Sequence, residues 1–226
     1  MTQTTQKCRQ CGTCCRKGGP TLNRQDLALV RQGHIRHDQL LTIRQGEMGY
    51  NPGTGRLESV PVELLKIRGQ GGGWSCLFLA EESNGCTIYA HRPSTCRLLQ
   101  CRQPEALLAT IYHNTLRRAD LINPQDPILV EIERHERACP GKEFTALLAE
   151  TGGQEVLARL NELVRVDLAI RAEVAQKTGI SRELEFFLFG RPLFKQLAGS
   201  GIEWSEENGK IRLQRTLPSI PCGRGE

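Results

Sequence analysis

Cys8-Arg9-Gln10-Cys11-Gly12-Thr13-Cys14-Cys15 is the stretch that decides how this chain is read. A second group, Cys76-x9-Cys86-x9-Cys96-x4-Cys101, follows it, so eight of ten cysteines fall in two sets. The x2 spacing lets two sulfurs of a tight turn face one metal, as in zinc knuckles and iron–sulfur loops. Gly12 lies inside the knuckle, where a positive φ would fold the chain back on an ion. Residues 1–20 read as loop, and in extended backbone the neighbouring side chains of Cys14 and Cys15 point to opposite faces. One ion would not then be gripped by both, which favours two sites, or one site with a spare thiol. A three-cysteine knuckle needs a distant fourth ligand, and Cys76, Cys86, Cys96 and Cys101 supply candidates. Eight thiols match two closed four-thiolate sites, or one four-iron cluster with thiols to spare.

The surrounding composition bounds the class. The chain has 226 residues, 38% of them hydrophobic but only 5% aromatic. That suffices for a real core, thinner than usual in large side chains. Residues 1–102 carry 14 Lys/Arg against 7 Asp/Glu, so the basic half is the cysteine half. Metal-bound cysteines are thiolates, and four of them around zinc leave a net charge of about −2. Arg9, Arg16, Lys17, Arg92, Arg97 and Arg102 lie beside cysteines and can balance it. Nucleic acid is the competing explanation of the charge, but no aromatic stacking platform accompanies it. MTQTTQK does not read as a secretory signal, and no apolar run has transmembrane length. The expectation is a cytoplasmic protein away from membranes, whose clustered cysteines are ligands or redox groups rather than five disulfides.

Outward from the cysteines, the pattern predicts an α+β chain. Asn23 caps a helix with Asp26 in its first turn, Leu27, Val30 and Ile35 inward, and Gly33 as stop. Short strands and turns follow over 40–68, with a turn at Asn51-Pro52-Gly53 and an edge strand at Val60-Pro61-Val62. Gly69 to Gly73 is a loop before Trp74. Strands are predicted at Ser75–Leu79 and Cys86–Tyr89, joined by the Ser83-Asn84-Gly85 turn. Arg92-Pro93-Ser94 is a turn into Cys96. Helices are predicted over 104–119, 126–138, 153–177 (ended by Gly179) and 181–198 (broken near Gly190-Arg191-Pro192). A hairpin over Ile202–Leu213 turns at Asn208-Gly209. The predicted division is a metal-stapled module over 1–102, a mainly helical region packed on it over 103–216, and a flexible tail over 217–226.

Four residues outside the two groups need a reading. Cys139 precedes Pro140, as iron–sulfur ligands often do, but a small buried residue is the plainer account. Cys222 is a bystander in the tail. His91 is read as a polar turn residue near Cys86 and Cys96. His135, one helical turn before Cys139, is read as a partly exposed helical histidine.

Taken together, Cys8-x2-Cys11-x2-Cys14-Cys15-Arg16, Cys76-Leu-Phe-Leu, Gly85-Cys86-Thr-Ile-Tyr89, Arg92-Pro93 and Cys96-Arg97 resemble the YkgJ-like cysteine-cluster family over residues 8–101. The resemblance implies zinc or iron chelated by these cysteines, with no settled reaction. The flagellin lysine methylases are similar in part of the pattern, and their iron–sulfur link implies a [4Fe-4S] option here. Nothing in residues 102–226 carries a methyltransferase site across, and the Gly69–Gly73 run lacks the Lys-Ser/Thr of a phosphate loop. The readings carried forward are a metal-binding protein that holds zinc or an iron–sulfur cluster through its clustered cysteines, with no settled role and with a helical half that could face a protein partner, and an iron–sulfur-dependent redox or methyl-transfer enzyme related to the flagellin lysine methylases. The metal ligands proposed by both are Cys8, Cys11, Cys14, Cys15, Cys76, Cys86, Cys96 and Cys101.

Overall fold

In a computed structural model of the protein, the described residues are 8–101, 103–150 and 153–216. Cys222, Arg102 and the predicted tail lie outside them. Helix and strand are mixed, and the second half is helical. The first half is built from a single-turn helix α1 (Thr13–Arg16), a short α2 (Leu27–Arg31) and four strands. The strands are β1 (Leu40–Ile43), β2 (Met48–Asn51), β3 (Arg56–Ser59) and β4 (Leu64–Ile67). β1 pairs antiparallel with β4, Leu40 opposite Ile67, and β2 with β3, Met48 opposite Ser59.

Helices α3 (Ser94–Leu98) and α4 (Glu105–Leu108) follow, then α5 (Ile128–Ala138), α6 (Gly141–Ala149), α7 (Gln154–Thr178) and α8 (Arg182–Phe189). A hairpin of β5 (Ile202–Glu207) and β6 (Lys210–Arg215) closes the fold. Asn208 (φ 52°) and Gly209 (φ 72°) make its turn, the left-handed pair that such hairpins need. Gly179 ends α7 at φ 69°, as its sequence position predicts.

Several predicted elements differ. Val60-Pro61-Val62 is not a strand: Val60 still exchanges backbone hydrogen bonds with Gly46 and Glu47, but Pro61 has no N–H to continue the ladder. Ser75–Leu79 and Cys86–Tyr89 make only isolated bridges, Gly69 with Cys76 and Leu79 with Cys86, because the chain turns back on itself between them. Arg92-Pro93-Ser94 opens helix α3 rather than a free turn. The helix predicted over 104–119 stops after one turn, since Tyr112 (φ 63°) and Asn114 (φ 52°) take left-handed backbone that no helix continues. α6 was not anticipated.

Two apolar cores hold these pieces. The first joins Leu22, Ile35, Leu40, Leu65, Ile67, Cys76 and Phe78 to Leu116, Ile170, Val174, Phe187 and Phe189, so it draws on both halves. The second joins Cys139, Phe144, Leu160, Leu163 and Val164 to Leu193, Ile202 and Leu213. A buried polar network also joins the halves. Arg44 and Glu47 pair at 2.5 Å with both side chains fully buried. Arg44 also donates to the Cys139 carbonyl at 2.8 Å. Contrary to its reading as partly exposed, His135 is 0% exposed. Its Nε2 lies 2.7 Å from Asp167 and its Nδ1 3.3 Å from the Arg44 guanidinium. A guanidinium only donates, so Nδ1 accepts, Nε2 carries the proton, and the imidazole is neutral. Burial is the main cause that holds the His135 pKa below its ordinary value.

Candidate metal centre

The knuckle is not extended. Gly12, at φ 72°, is the N-cap of α1, and a Cβ there would lie 2.3 Å from Arg16 Nη1. The left-handed glycine expected from the spacing is therefore present, and it starts a helical turn. That corrects the opposite-faces argument for Cys14 and Cys15. In helical backbone neighbouring side chains diverge by about 100° rather than 180°, so both can approach one region.

The second group is fastened to the first by main chain. Cys76 N–H donates to the Cys15 carbonyl at 2.8 Å. The Arg16 guanidinium donates to Asn84 in the turn before Cys86. Cys96 sits in α3, which is tied down at its N-terminus. There the fully buried Asp26 accepts from Ser94 N at 2.7 Å and Ser94 Oγ at 2.9 Å, and from Asn23 N at 3.0 Å. Thr95 Oγ1 donates to the Thr21 carbonyl at 2.8 Å. Asp26, read from sequence as a first-turn residue, thus also anchors a candidate ligand in another segment. The Asn23-x2-Asp26 box gave the local half of that role only.

Electrostatics report which sulfurs are neighbours. Burial pushes the Cys15 thiol up to about 12, with Cys14, Cys76 and Cys86 adding to it. Burial also raises Cys96, helped by Cys76, Cys15, Cys14 and Cys86. Cys14 is raised by burial, and Cys8 and Cys101 contribute. Cys76 and Cys86 are raised chiefly by burial, against backbone donors at Phe78 and Ile88. Cys14, Cys15, Cys76, Cys86 and Cys96 therefore act on one another in part, and Cys8 and Cys101 act on Cys14. Cys11 differs: it is exposed, its thiol lies 3.4 Å from Thr13 Oγ1, and that hydrogen bond is the main cause lowering its pKa. All nine described cysteines are free thiols. Among the described residues, no three Cys, His, Asp or Glu side chains are arranged to hold one ion. The donor set itself fits a thiophilic metal, since gathered free thiols suit zinc and iron alike.

Of the other candidates, Cys139 is 0% exposed in the second core, its sulfur facing the Leu163 carbonyl. His91 is exposed and stacks on His34 at 3.6 Å. Arg92 lies in electrostatic reach of Cys86, and Arg9 of Cys11, as charge compensation requires. Sequence reasoning passed over Lys66, the one cation in the apolar run of β4, whose charge acts on Cys76.

Residues 7–114, a little under half of the chain, match the family model CxxCxxCC, described as "Putative zinc- or iron-chelating domain". This is the cysteine-cluster family that the spacing resembles, and the resemblance is borne out over that segment. No curated protein and no solved structure matches the chain. No described helix is long and apolar enough to cross a membrane.

Proposed function

We propose that this protein holds zinc or iron through cysteine thiolates drawn from both groups. The ligands come from Cys8, Cys11, Cys14, Cys15, Cys76, Cys86, Cys96 and Cys101. The observation that carries the reading is the meeting of the two groups, with Cys76 N–H on the Cys15 carbonyl and Cys14, Cys15, Cys76 and Cys86 all acting on Cys96. The family match supports the same chemistry. In this reading residues 1–102 form a module stapled by its metal, and residues 103–216 pack on it. Bound zinc would supply a structural cross-link, whereas an iron–sulfur cluster would add one-electron chemistry. Free thiols suit a reducing compartment, so we place the protein in the cytoplasm. The redox or methyl-transfer alternative has no observation of its own behind it.

The test is metal and acid-labile sulfide analysis, with an absorption spectrum, on protein purified without oxygen. Broad absorption near about 400 nm with iron and sulfide assigns a cluster. A colourless protein with stoichiometric zinc assigns a structural site. Fully reduced protein that carries neither metal, and takes up neither when offered, overturns the proposal.

A further inference from the structure

We infer that β5 is a docking edge for an extended segment of a partner protein in which apolar side chains alternate with lysine or arginine, the segment adding a third strand to the β5–β6 hairpin. The inference is independent of the metal-binding reading.

The hairpin has one closed edge and one open edge. On the far side of β6, Leu213 N–H donates to Asn161 Oδ1 at 2.9 Å and the Leu213 carbonyl accepts from Asn161 Nδ2 at 3.2 Å, so α7 takes that edge. Leu213 lies opposite Trp204. In an antiparallel ladder, opposed residues either exchange both hydrogen bonds or both turn their main chains outward. Leu213 turns outward, so Trp204 does too, and Glu206, two residues on, repeats it. Thr216 N–H donates to the Gly201 carbonyl at 3.0 Å, which puts the odd-numbered residues of β5 in the inward set. Among the described residues, the main-chain groups of Trp204 and Glu206 have no partner on the outer side of β5. Such a row is a template for another strand.

The side chains along this edge define what the added strand carries. Successive residues of β5 alternate between two faces. Ile202 and Trp204 share the core face: Ile202 is buried, and Trp204, 46% exposed, meets Phe194 edge-on at 4.9 Å. These three and Leu197 line a cleft of about 480 Å³ beside the edge, which suits apolar side chains. Lys195 also lines it, with Nζ 5.8 Å from the Phe194 ring centre, and turns cations away from this face. Glu203 and Glu207 stand on the opposite face, where a neighbouring strand places every second side chain. Glu203 and Glu206 have no ion pair among the described residues, and Glu207 meets Arg212 at 3.6 Å. Lysine or arginine opposite the glutamates makes favourable cross-strand pairs. A second copy's β5 is the wrong occupant, since it sets three glutamates in six residues against the same three.

The experiment titrates full-length, reduced protein with a blocked seven-residue peptide of alternating lysine and valine. Its controls are the glutamate–valine counterpart and the same lysine–valine peptide methylated on every amide nitrogen. The chain has two tryptophans, so Trp74→Phe makes the fluorescence that of Trp204 alone, and calorimetry on wild type repeats the comparison without a substitution. The lysine–valine peptide should saturate at one per chain and shift the Trp204 emission. The glutamate–valine peptide should bind at least about tenfold more weakly, although a chain of formal net charge +5 would attract it if charge alone decided. Glu203→Gln with Glu207→Gln should weaken the lysine–valine peptide by about twofold to thirtyfold, the range for two cross-strand charge pairs. The methylated peptide should not bind. No binding of the lysine–valine peptide, equal binding of the two charge types, or retained binding after methylation overturns the inference. So does wild type that sediments as a dimer with a concentration-dependent Trp204 emission, which assigns the edge to a second copy.

Discussion

Replacing Asp26 with alanine should loosen the cysteine centre from a distance. The carboxylate is 0% exposed and accepts three hydrogen bonds, from Asn23 N, Ser94 N and Ser94 Oγ. Bonds to a charged acceptor contribute about 1.5 kcal/mol or more each, and deletion leaves two buried Ser94 donors without a partner, so the loss should be about 3–5 kcal/mol. Arg97 lies 3.9 Å away, is half exposed, and adds little. With a urea slope of about 2–3 kcal/mol/M for a chain of this size, the midpoint should fall by about 1–2 M. The assay is urea unfolding of reduced, as-purified protein followed by far-UV circular dichroism, with zinc or iron content measured on the same samples. Both should fall, since Cys96 lies two residues beyond Ser94. A midpoint within about 0.3 M of wild type, a stability change below about 1 kcal/mol, would refute the anchoring argument.

Cys96→Ser should lower bound metal and stability together, because structural metal binding is coupled to folding; Cys11→Ser should lower metal content less, as Cys11 is exposed, and unchanged metal in both would remove the ligand assignment. Acid should destabilise the protein in two steps. His135 and half-buried His37 are held below the ordinary histidine value chiefly by burial, so the unfolded chain takes up protons first as pH falls through about 6.5, costing up to about 1.4 kcal/mol per pH unit for each group. Against burial, Arg171 and His135 pull Asp167 down to about 2, so its contribution is complete above the ordinary aspartate value of about 3.9 and is lost between there and about 2. Urea midpoints that stay flat from pH 7 to 4 would refute this sign. Gly46→Ala should cost about 1–3 kcal/mol of stability by the same assay, since Gly46 has φ 88° and a Cβ there would lie 2.6 Å from Lys142 N.

The sequence revealed most where a local rule has a single cause. Asn208-Gly209, Gly179 and Gly12 are positions where only left-handed backbone serves, and each takes it. The α7 helix follows from a long apolar period. Ser75–Leu79 misled because alternation predicts an extended strand only where a partner strand exists, and here the chain bends to bring Cys76 against Cys15. The false helix over 104–119 has the right periodicity, but Asn114 turns the chain so that Leu116 N can reach the Leu22 carbonyl. The identity of the candidate thiols was legible from spacing; their surroundings were not. Asp26 meets the α3 segment that carries Cys96 through contacts between distant parts of the chain, which no window of sequence contains.

The cysteine region also shares its wall with the apolar core. Cys76 is part of that core, and Cys15 and Cys86 pack against it. Oxidation of these sulfurs to sulfinic or sulfonic acid would place permanent charge in or against that core. Damage that begins as loss of a ligand would end as loss of packing, so oxidised molecules should enter the aggregating or proteolysed pool rather than persist as a folded, metal-free form.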